Sequence, residues 1–405
     1  VIDVATAHEL IAKHIQRNRI VESSLMDGLG LVLAQVVKSK APSPRFDASS
    51  VDGYGVSFKD FTSSASRVSL PISRIIQAGD TTNQRMRPGS AVRIFTGAKV
   101  PSGVDAIVMQ EDVVLEAGIA HFSNAPRTGA NIRRQGDEFA RGVIIFEKGV
   151  LITPAVLSTL ATLGFASIKV YASATATIVC TGNELRAPGE KLKLGEIYDA
   201  NSFALRGALK VLGIEQVKVR HVKDTINSVT SALEKSLAES EFVIVTGGVS
   251  VGDHDHVREA LDSLRVQEIF WRVKLKPGKP LYFGKRGACY VFGLPGNPVS
   301  VLVTFQLFVR EALMRSTGVD RADRSRMATL GSSLHKRPGR TEYVRGQVSV
   351  IPNQPDLVTP IKERESHMTS GMSWADCLIE FPEQAETLSA GDQVRVIPIE
   401  WSVFE

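Results

Sequence analysis

The sequence predicts an α/β and β multidomain protein. It has a central doubly wound α/β domain with a parallel sheet, a helical domain interrupted by a β-rich insert, and a C-terminal β domain. Three observations predict this. From Ala174 to about Met314, short β-branched runs alternate with helical periodicity, the pattern of a parallel sheet covered by helices on both faces. Two helical stretches flank short strands and turns between about Val68 and Val143. After Gly318 the helical period is lost and short strands return. A chain of 405 residues has room for two to four domains at about 150 residues each. The expected division is 1–40 with 143–173 (helical), 41–142 (β-rich insert), 174–322 (α/β) and 323–405 (C-terminal β).

Composition narrows the classes. Hydrophobic residues at 43% and charged residues at 22% are ordinary for a globular protein. The net charge of +5 comes from 48 basic and 43 acidic residues with no Lys/Arg block, which argues against nucleic-acid binding. Cys180, Cys289 and Cys377 lie far apart, with no CxxC and no Cys/His metal spacing. Such sparse thiols fit a reducing, cytoplasmic compartment. No apolar run approaches the roughly 20 residues needed to span a bilayer, so no membrane partner is expected.

Residues 1–40 read as mainly helical. Val1 to Ile20 form an amphipathic helix with Ala7, Ile11 and Ile15 on one face, not a signal peptide. Beginning at Val1 rather than Met, the chain is expected to be trimmed there. Pro42 and Pro44 end the helical pattern, and Phe46 to Val56 is a polar, aromatic turn carrying Asp47 and Asp52. In the insert, Val92–Phe95 ends at Thr96-Gly97-Ala98, and Ala106–Met109 runs into Gln110-Glu111. Arg133 to Glu138 reads as a solvated turn. Residues 144–172 turn helical again, with Pro154 at a helix start.

In the α/β region, Thr177–Cys180 is a strand ending in Thr181-Gly182-Asn183-Glu184-Leu185. Asp199-Ala200-Asn201 leads into a helix through Leu205 and Leu209, closed by Gly213. Gln216–Val219 is a strand ending near Lys223-Asp224. Phe242–Val245 is a buried strand followed by Thr246, Gly247, Gly248, Ser250 and Gly252, whose backbone N–H groups can approach an anion. Asp253 and Asp255 follow. Glu184, Asp224, Asp253 and Asp255 all lie just after strands, where open α/β sheets bind ligands. Lys276 and Lys279 sit in Lys-Pro-Gly-Lys-Pro, a loop stiffened by Pro277 and Pro280 and suited to phosphate or another oxyanion. In Gly293 to Ser300, Asn297 is the cap and Pro298 the first turn of a long apolar helix. In the C-terminal domain, Glu342–Val350, Leu357–Thr359, Leu378–Phe381 and Val394–Ile397 are strands, and His367 is an ordinary loop histidine.

Nine segments then read together in order: Ser50–Val56, Ile94–Ala98, Val108–Glu111, Asn131–Arg134, Cys180–Leu185, Ile197–Asn201, Gly247–Gly252, Lys276–Pro280 and Gly293–Ser300. In this register the chain resembles the molybdopterin molybdenumtransferase family, whose eukaryotic relative is the E domain of gephyrin. The resemblance spans about residues 5–400. It implies insertion of molybdenum from molybdate into adenylyl-molybdopterin with loss of the adenylate, Mg²⁺ as cofactor, and an elongated four-domain homodimer whose active site is shared between subunits. It also implies, as a partner, the adenylyltransferase that makes the substrate. Carried over motif by motif, the catalytic set is Asp52, Thr96, Glu184, Asp224, Asp255, Lys276 and Lys279, with Glu184, Asp224 and Asp255 toward the metal. The substrate set is Gly247, Gly248, Ser250, Gly252, Asp199, Asn201, Pro295, Asn297, Pro298, Arg345 and Ser366. Asn183 stands where the family often has Asp, Val51 and Gly55 replace the commoner Met and Ala, and Glu138 replaces Asp. No Ser/His/Asp or Cys/His nucleophile is evident, so a covalent intermediate is not expected. The rival reading is a non-catalytic molybdopterin-binding or peptide-anchoring scaffold of the same fold.

Overall fold

A computed structural model describes the chain except residues 62–66, 82–83, 249–255, 320–324, 351, 353–354, 363–364, 366, 400 and 402–405. The contacts divide it into two compact units, 1–34 with 148–158 and 166–405, and 35–147 with 159–165. Most of three of the four expected divisions share the first unit.

The first unit is built on a six-stranded sheet in the order Val217–Val222, Ala176–Thr181, Phe242–Thr246, Cys289–Leu294, Tyr282–Arg286, Gln267–Trp271. The first four strands run parallel; Tyr282–Arg286 runs antiparallel to both of its neighbours, Cys289–Leu294 and Gln267–Trp271. Ala176–Thr181, Phe242–Thr246 and Cys289–Leu294 are buried along their whole lengths, as β-branched runs covered on both faces must be. Alternate residues serve opposite faces. Ile178, Ile244 and Phe292 pack with Leu205 and Leu209 of the Asn201–Val211 helix. Val179, Val243, Val245 and Val291 pack with Val229 and Leu233 of Ile226–Glu239 and with Val257 and Leu261 of His256–Ser263. The chain leaves Ala176–Thr181 for one neighbour, Val217–Val222, and then crosses to the other, Phe242–Thr246. The strand order therefore switches between the two central strands, which opens a crevice at their carboxyl ends.

The apolar helix expected to about Met314 runs from Pro298 to Thr304, passes through a π-turn over Phe305–Val309 and continues as Arg310–Ser316. Its residues from Phe305 to Val309 are all buried. The C-terminal strands follow the sequence closely: Thr341–Ser349, Leu357–Pro360, Cys377–Phe381 and Gln393–Pro398. With Arg326–Leu330 they form a ring, because Thr341–Ser349 pairs with both Leu357–Pro360 and Cys377–Phe381. Closure removes the sheet edges. Leu275–Lys276 adds to this ring beside Thr341 and Glu342.

The helical reading of the first 40 residues and of 144–172 needs correction. A helix forms at Val4–His14, capped by the Asp3 carboxylate accepting from Thr6 N at 2.7 Å, with Ala7 and Ile11 fully buried. A second forms at Pro154–Thr162. Between and beyond them lie strands. Ile20–Ser24, Ser167–Tyr171 and Val32–Leu33 make a three-stranded antiparallel sheet. Ser167–Tyr171 alternates exposed and buried, with Ile168 and Val170 inside. Its partners lie over 130 residues away, so pairing across the chain overrides local helix propensity.

The second unit holds a six-stranded sheet in the order Ala106–Met109, Gly53–Val56, Ala91–Ile94, Val68–Ile76, Ile119–Phe122, Val113–Glu116. Gly53–Val56 lies between two close neighbours. A Cβ at Gly53 would stand 2.1 Å from the Val108 carbonyl oxygen, and one at Gly55 2.9 Å from Val92. These glycines are there because the strands approach so closely. Among the described residues no helix is long and apolar enough to cross a membrane.

Candidate active site

The carboxyl ends of the parallel strands carry most of the residues singled out in the sequence. The loop after Ala176–Thr181 holds Gly182, Asn183 and Glu184. Its backbone pairs onward with the segment before Asn201: Ile197 N donates to Glu184 O at 3.0 Å and Asp199 N to Arg186 O at 2.9 Å. Asn201 is thereby delivered to the crevice. Its Nδ2 donates to Thr246 Oγ1 and to Gly296 O, both at 2.8 Å. One amide thus ties the loops after Phe242–Thr246 and Cys289–Leu294 together.

Gly247 and Gly248 take φ of 86° and 63°, the region open to glycine. A Cβ at Gly247 would meet Thr181 O and Oγ1 at 2.8 Å, and one at Gly248 would meet Val257 Cγ2 at 2.8 Å. The backbone here is packed against the neighbouring strand end. Gly296 packs beside Gly247 at ordinary contact distance, since its Cβ would lie 3.9 Å from Gly247 Cα. Pro295 and Asn297 flank that glycine, and Asn297 and Pro298 open the Pro298–Thr304 helix, with Val301 N donating to Asn297 O at 3.0 Å.

Asp224 follows the Val217–Val222 strand. Its backbone N donates to Asn183 Oδ1 at 3.2 Å, so Asn183 joins the two acidic loops as an acceptor rather than as a second charge. Among the described residues, Asp224 Oδ1 is buried without a hydrogen-bond partner, and the same is true of Thr181 Oγ1 and Asn201 Oδ1. Leaving a buried polar atom unpaired costs about 1–3 kcal/mol each. The condition also occurs away from here, at Asp60 Oδ2 and the Tyr282 hydroxyl, but these three gather around the carboxyl ends of the parallel strands, where such a sheet takes its ligands. A carboxylate oxygen in that condition suits a cation, and Glu184, exposed one residue beyond Asn183, supplies further oxygens. The donor set is oxygen only, which fits Mg²⁺.

The Lys-Pro-Gly-Lys-Pro loop packs on the same helix. A Cβ at Gly278 would stand 2.5 Å from Thr304 Cγ2, so only glycine fits. Lys276 is not a bare charge. Its Nζ pairs with Glu342 at 3.1 and 3.2 Å to the two oxygens. Lys279 is exposed and, among the described residues, makes no ion pair.

Asp52 and Thr96 belong to the second unit. The ladder between Gly53–Val56 and Ala91–Ile94 pairs Gly53 with Ile94, which brings the residues beyond those ends together. Asp52 Oδ1 accepts from Thr96 N at 2.8 Å and from Thr96 Oγ1 at 2.7 Å. These two bonds, aided by the Arg93 charge and opposed by slight desolvation, hold the Asp52 carboxyl below the usual carboxylate range.

Other expected residues sit differently. Asp199 is buried, and its oxygens accept from Ser202 and from His221, so its hydrogen bonds are made within the protein. Arg345 lies in the C-terminal ring, 4% exposed, and donates to Glu365 O at 3.4 Å. Ser250, Gly252, Asp253, Asp255 and Ser366 lie outside the described residues. Glu138 accepts from Ser43 Oγ at 2.7 Å, and Arg134 pairs with Asp47 at 2.6 Å, so that turn is cross-linked rather than merely solvated. Sequence reasoning placed Thr181 and Thr246 in the strand-end motifs without giving their hydroxyls a role, and it missed Glu342. The signal for the two threonines was a hydroxyl ending an otherwise apolar buried strand. Glu342 gave no local signal, since its partner is 66 residues away.

Comparison with known proteins identifies relatives over nearly the whole chain. Residues 2–164 match the family described as MoeA N-terminal region (domain I and II). Residues 177–315 match a "probable molybdopterin binding domain", and residues 327–399 the MoeA C-terminal region (domain IV). The chain is 34% identical over 380 residues to the molybdopterin molybdenumtransferase of Haemophilus influenzae, covering 93% of each chain. It is 31% identical over 395 residues to molybdopterin molybdenumtransferase 2 of Mycobacterium tuberculosis, covering 96% of this chain and 97% of that one. Among solved structures, the molybdopterin biosynthesis moea protein from Pyrococcus horikosii superposes with a TM-score of 0.83 at 29% identity, over 98% of this chain and 99% of that one.

Proposed function

The chain belongs to the molybdopterin molybdenumtransferase family, and we propose that it transfers molybdenum from molybdate to adenylyl-molybdopterin, releasing AMP and giving molybdenum cofactor. The observation that carries this reading is Asp224 Oδ1, a buried carboxylate oxygen without a hydrogen-bond partner among the described residues, beyond the edge strand Val217–Val222 and tied through Asn183 to the loop after Ala176–Thr181. Thr181 and Asn201, with unpaired buried oxygens, and the close-packed Gly247 and Gly248 line the same crevice.

Glu184 and Asp224, with Asp255, would hold Mg²⁺. Bound there, the ion neutralises phosphate charge on the adenylate. The remaining work falls to side chains. Lys279 supplies an uncommitted ammonium for phosphate or molybdate, and Lys276 joins it by exchanging Glu342 for substrate. The backbone at Gly247 and Gly248 and the start of the helix at Pro298 receive the pterin phosphate. Asp52, kept ionised by Thr96, accepts protons or pterin N–H groups and does not act as an acid. A water or molybdate oxygen attacks the adenylate phosphorus and the phosphoanhydride bond breaks: the molybdopterin phosphate leaves with the electron pair and the AMP phosphorus keeps the new oxygen, without a covalent enzyme intermediate; where that oxygen came from molybdate, its bond to molybdenum breaks as the metal passes to the dithiolene sulfurs, and AMP leaves with it. A homodimer, supplied by the adenylyltransferase that makes the substrate, brings the Asp52–Thr96 corner of one copy to the strand-end loops of the other.

The test is AMP release from adenylyl-molybdopterin with molybdate and Mg²⁺. Wild type releases AMP, and Asp224→Ala loses about 100- to 1000-fold of the rate, the size of one removed charge-stabilising group. Unchanged release refutes the assignment of Asp224. Binding without turnover in the wild type favours the scaffold reading. Mixing Asp52→Ala with Asp224→Ala chains restores part of the rate if sites are shared between copies.

A further inference from the structure

A second constellation of ligand-type side chains lies away from the oxygen-only crevice. Cys180 and His221 are ladder partners on adjacent parallel strands, so their side chains share one face of the sheet. Asp199 reaches that face from the loop before the Asn201–Val211 helix. The Cys180 thiol, an Asp199 oxygen and a His221 ring nitrogen all lie within 4.8 Å of one another. His221 Nε2 is 2.6 Å from Asp199 Oδ2.

We propose that Cys180, Asp199 and His221 bind a zinc-type divalent ion, with solvent as the fourth ligand. One sulfur, one nitrogen and one oxygen donor make a borderline-soft set that Zn²⁺ and Co²⁺ favour and Mg²⁺ does not. Ligand bonds of about 2.0–2.3 Å need donors about 3–4 Å apart around a tetrahedral ion. The observed cluster reaches that spacing by opening the Asp199–His221 contact slightly. The carboxylate is already supported, since Ser202 N donates to Asp199 Oδ1 at 3.0 Å and Ser202 Oγ donates to Oδ2. Such outer partners fix the orientation of a metal ligand. Access differs among the three. Cys180 is 1% exposed and Asp199 2%, but the His221 side chain is 54% exposed. An ion enters past the imidazole, and solvent completes its shell from that side.

Charge supports the geometry. Burial, and the Asp199 charge beside it, push the Cys180 thiol up to about 12. Burial works against ionisation of Asp199 too, but hydrogen bonds from Ser202 and His221 keep it ionised below the usual range. A divalent cation is the group that lets both ionise together. The ion would pin the loop that presents Asn201 to Thr246 and Gly296.

The test uses the full chain, stripped of metal and reduced, titrated with Co²⁺ under anaerobic conditions. The expected result is saturable visible absorption of four-coordinate cobalt with a thiolate-to-cobalt charge-transfer band, displaced by Zn²⁺ and not by excess Mg²⁺. Cys180→Ser abolishes the charge-transfer band. Ser202→Ala weakens binding on the order of 10- to 100-fold, as removal of an outer partner does, and His221→Gln weakens it more. Asp224→Asn keeps the band. A wild type with no charge-transfer band, or a band that survives Cys180→Ser or is lost in Asp224→Asn, overturns the proposal. Should Cys180→Ser not fold, alkylation of Cys180 in the wild type decides: Zn²⁺ slows it if the thiolate is a ligand, and an unchanged rate overturns the site.

Discussion

Two acidic corners of this molecule answer the same sequence cue in opposite ways. In the β-rich unit, Asp52 ends a short ladder and finds both of its bonds at once in Thr96 N and Oγ1. In the α/β layer, Asp224 stands just beyond a strand, yet among the described residues its buried Oδ1 has no hydrogen-bond partner. The first carboxylate is completed by its own fold. The second is left open at a cost that only a bound group recovers. A residue whose bonds are already made keeps its charge state and position before substrate arrives. A residue whose bonds are missing shows where substrate or metal must supply them.

The largest expected effect tests that contrast directly. Asp224→Ala reduces AMP release about 100- to 1000-fold while its denaturation midpoint stays level or rises, because an unpaired buried oxygen is removed. Both readouts come from one preparation. A stability loss above about 1 kcal/mol would show that Asp224 is held by the fold like Asp52, and the comparison would break.

Backbone closeness separates the two regions next. Gly247→Ala must adopt a φ of 86° and place a Cβ 2.8 Å from Thr181 O, in a loop packed on a buried strand. Left-handed strain and overpacking together cost about 2–4 kcal/mol. Gly97, beside Thr96, also has positive φ, 79°, but its Cβ would find nothing nearer than Ala78 Cβ at 3.9 Å. Gly97→Ala therefore loses only the strain, about 1–2 kcal/mol. Urea denaturation of both variants measures the gap; equal losses would mean that the crowding at Gly247 relaxes freely.

These contrasts also show what the sequence could and could not reveal. The central strands were legible because burial on both faces demands continuous β-branched runs, as in Phe242–Thr246. The loops after them were legible because only glycine tolerates the approach at Gly247 and Gly278. The sheet of Ile20–Ser24, Ser167–Tyr171 and Val32–Leu33 was not legible. Ile20–Ser24 has no buried residue at all, so it leaves no apolar pattern, and its partner is far along the chain. Long-range pairing hid the site details too. Glu342 neutralises Lys276 as its ladder partner from a strand 66 residues along the chain, and Cys180 meets His221 through ladder register rather than through any spacing along the chain. The open state of Asp224 Oδ1 is a property of packing, so no motif could report it.

The Asp52 corner gives a smaller, pH-resolved effect. Its folded carboxyl titrates below the ordinary value because of Thr96. A lowered value means that the associated stability is present above the unfolded value and is lost as pH falls through the folded one. Thr96→Val keeps the N–H bond and removes the hydroxyl bond. The Asp52 carboxyl then moves up toward the ordinary value, and the acidic limb of activity moves up with it. Carboxyl NMR titration measures the first and a pH–rate profile the second. An unmoved carboxyl would leave the backbone bond as the whole cause.

Lys276 and Glu342 offer an intermediate case, a charge that is paired but not enclosed. Their separation is 3.1 Å, with the lysine side chain 52% exposed and the glutamate 17%. Solvent screens such a pair to about 0.2–1 kcal/mol. A double-mutant cycle with Lys276→Met and Glu342→Gln therefore returns a stability coupling in that range. The kinetic consequence has the opposite sign for the two changes. Glu342→Gln frees the ammonium for substrate and lowers KM for the adenylated pterin, whereas Lys276→Met raises it. A coupling well above 1 kcal/mol, with KM unmoved in Glu342→Gln, would place the pair with Asp52 among contacts the fold keeps for itself. A small coupling with divergent KM values would place Lys276 with Asp224, among groups held ready for a ligand.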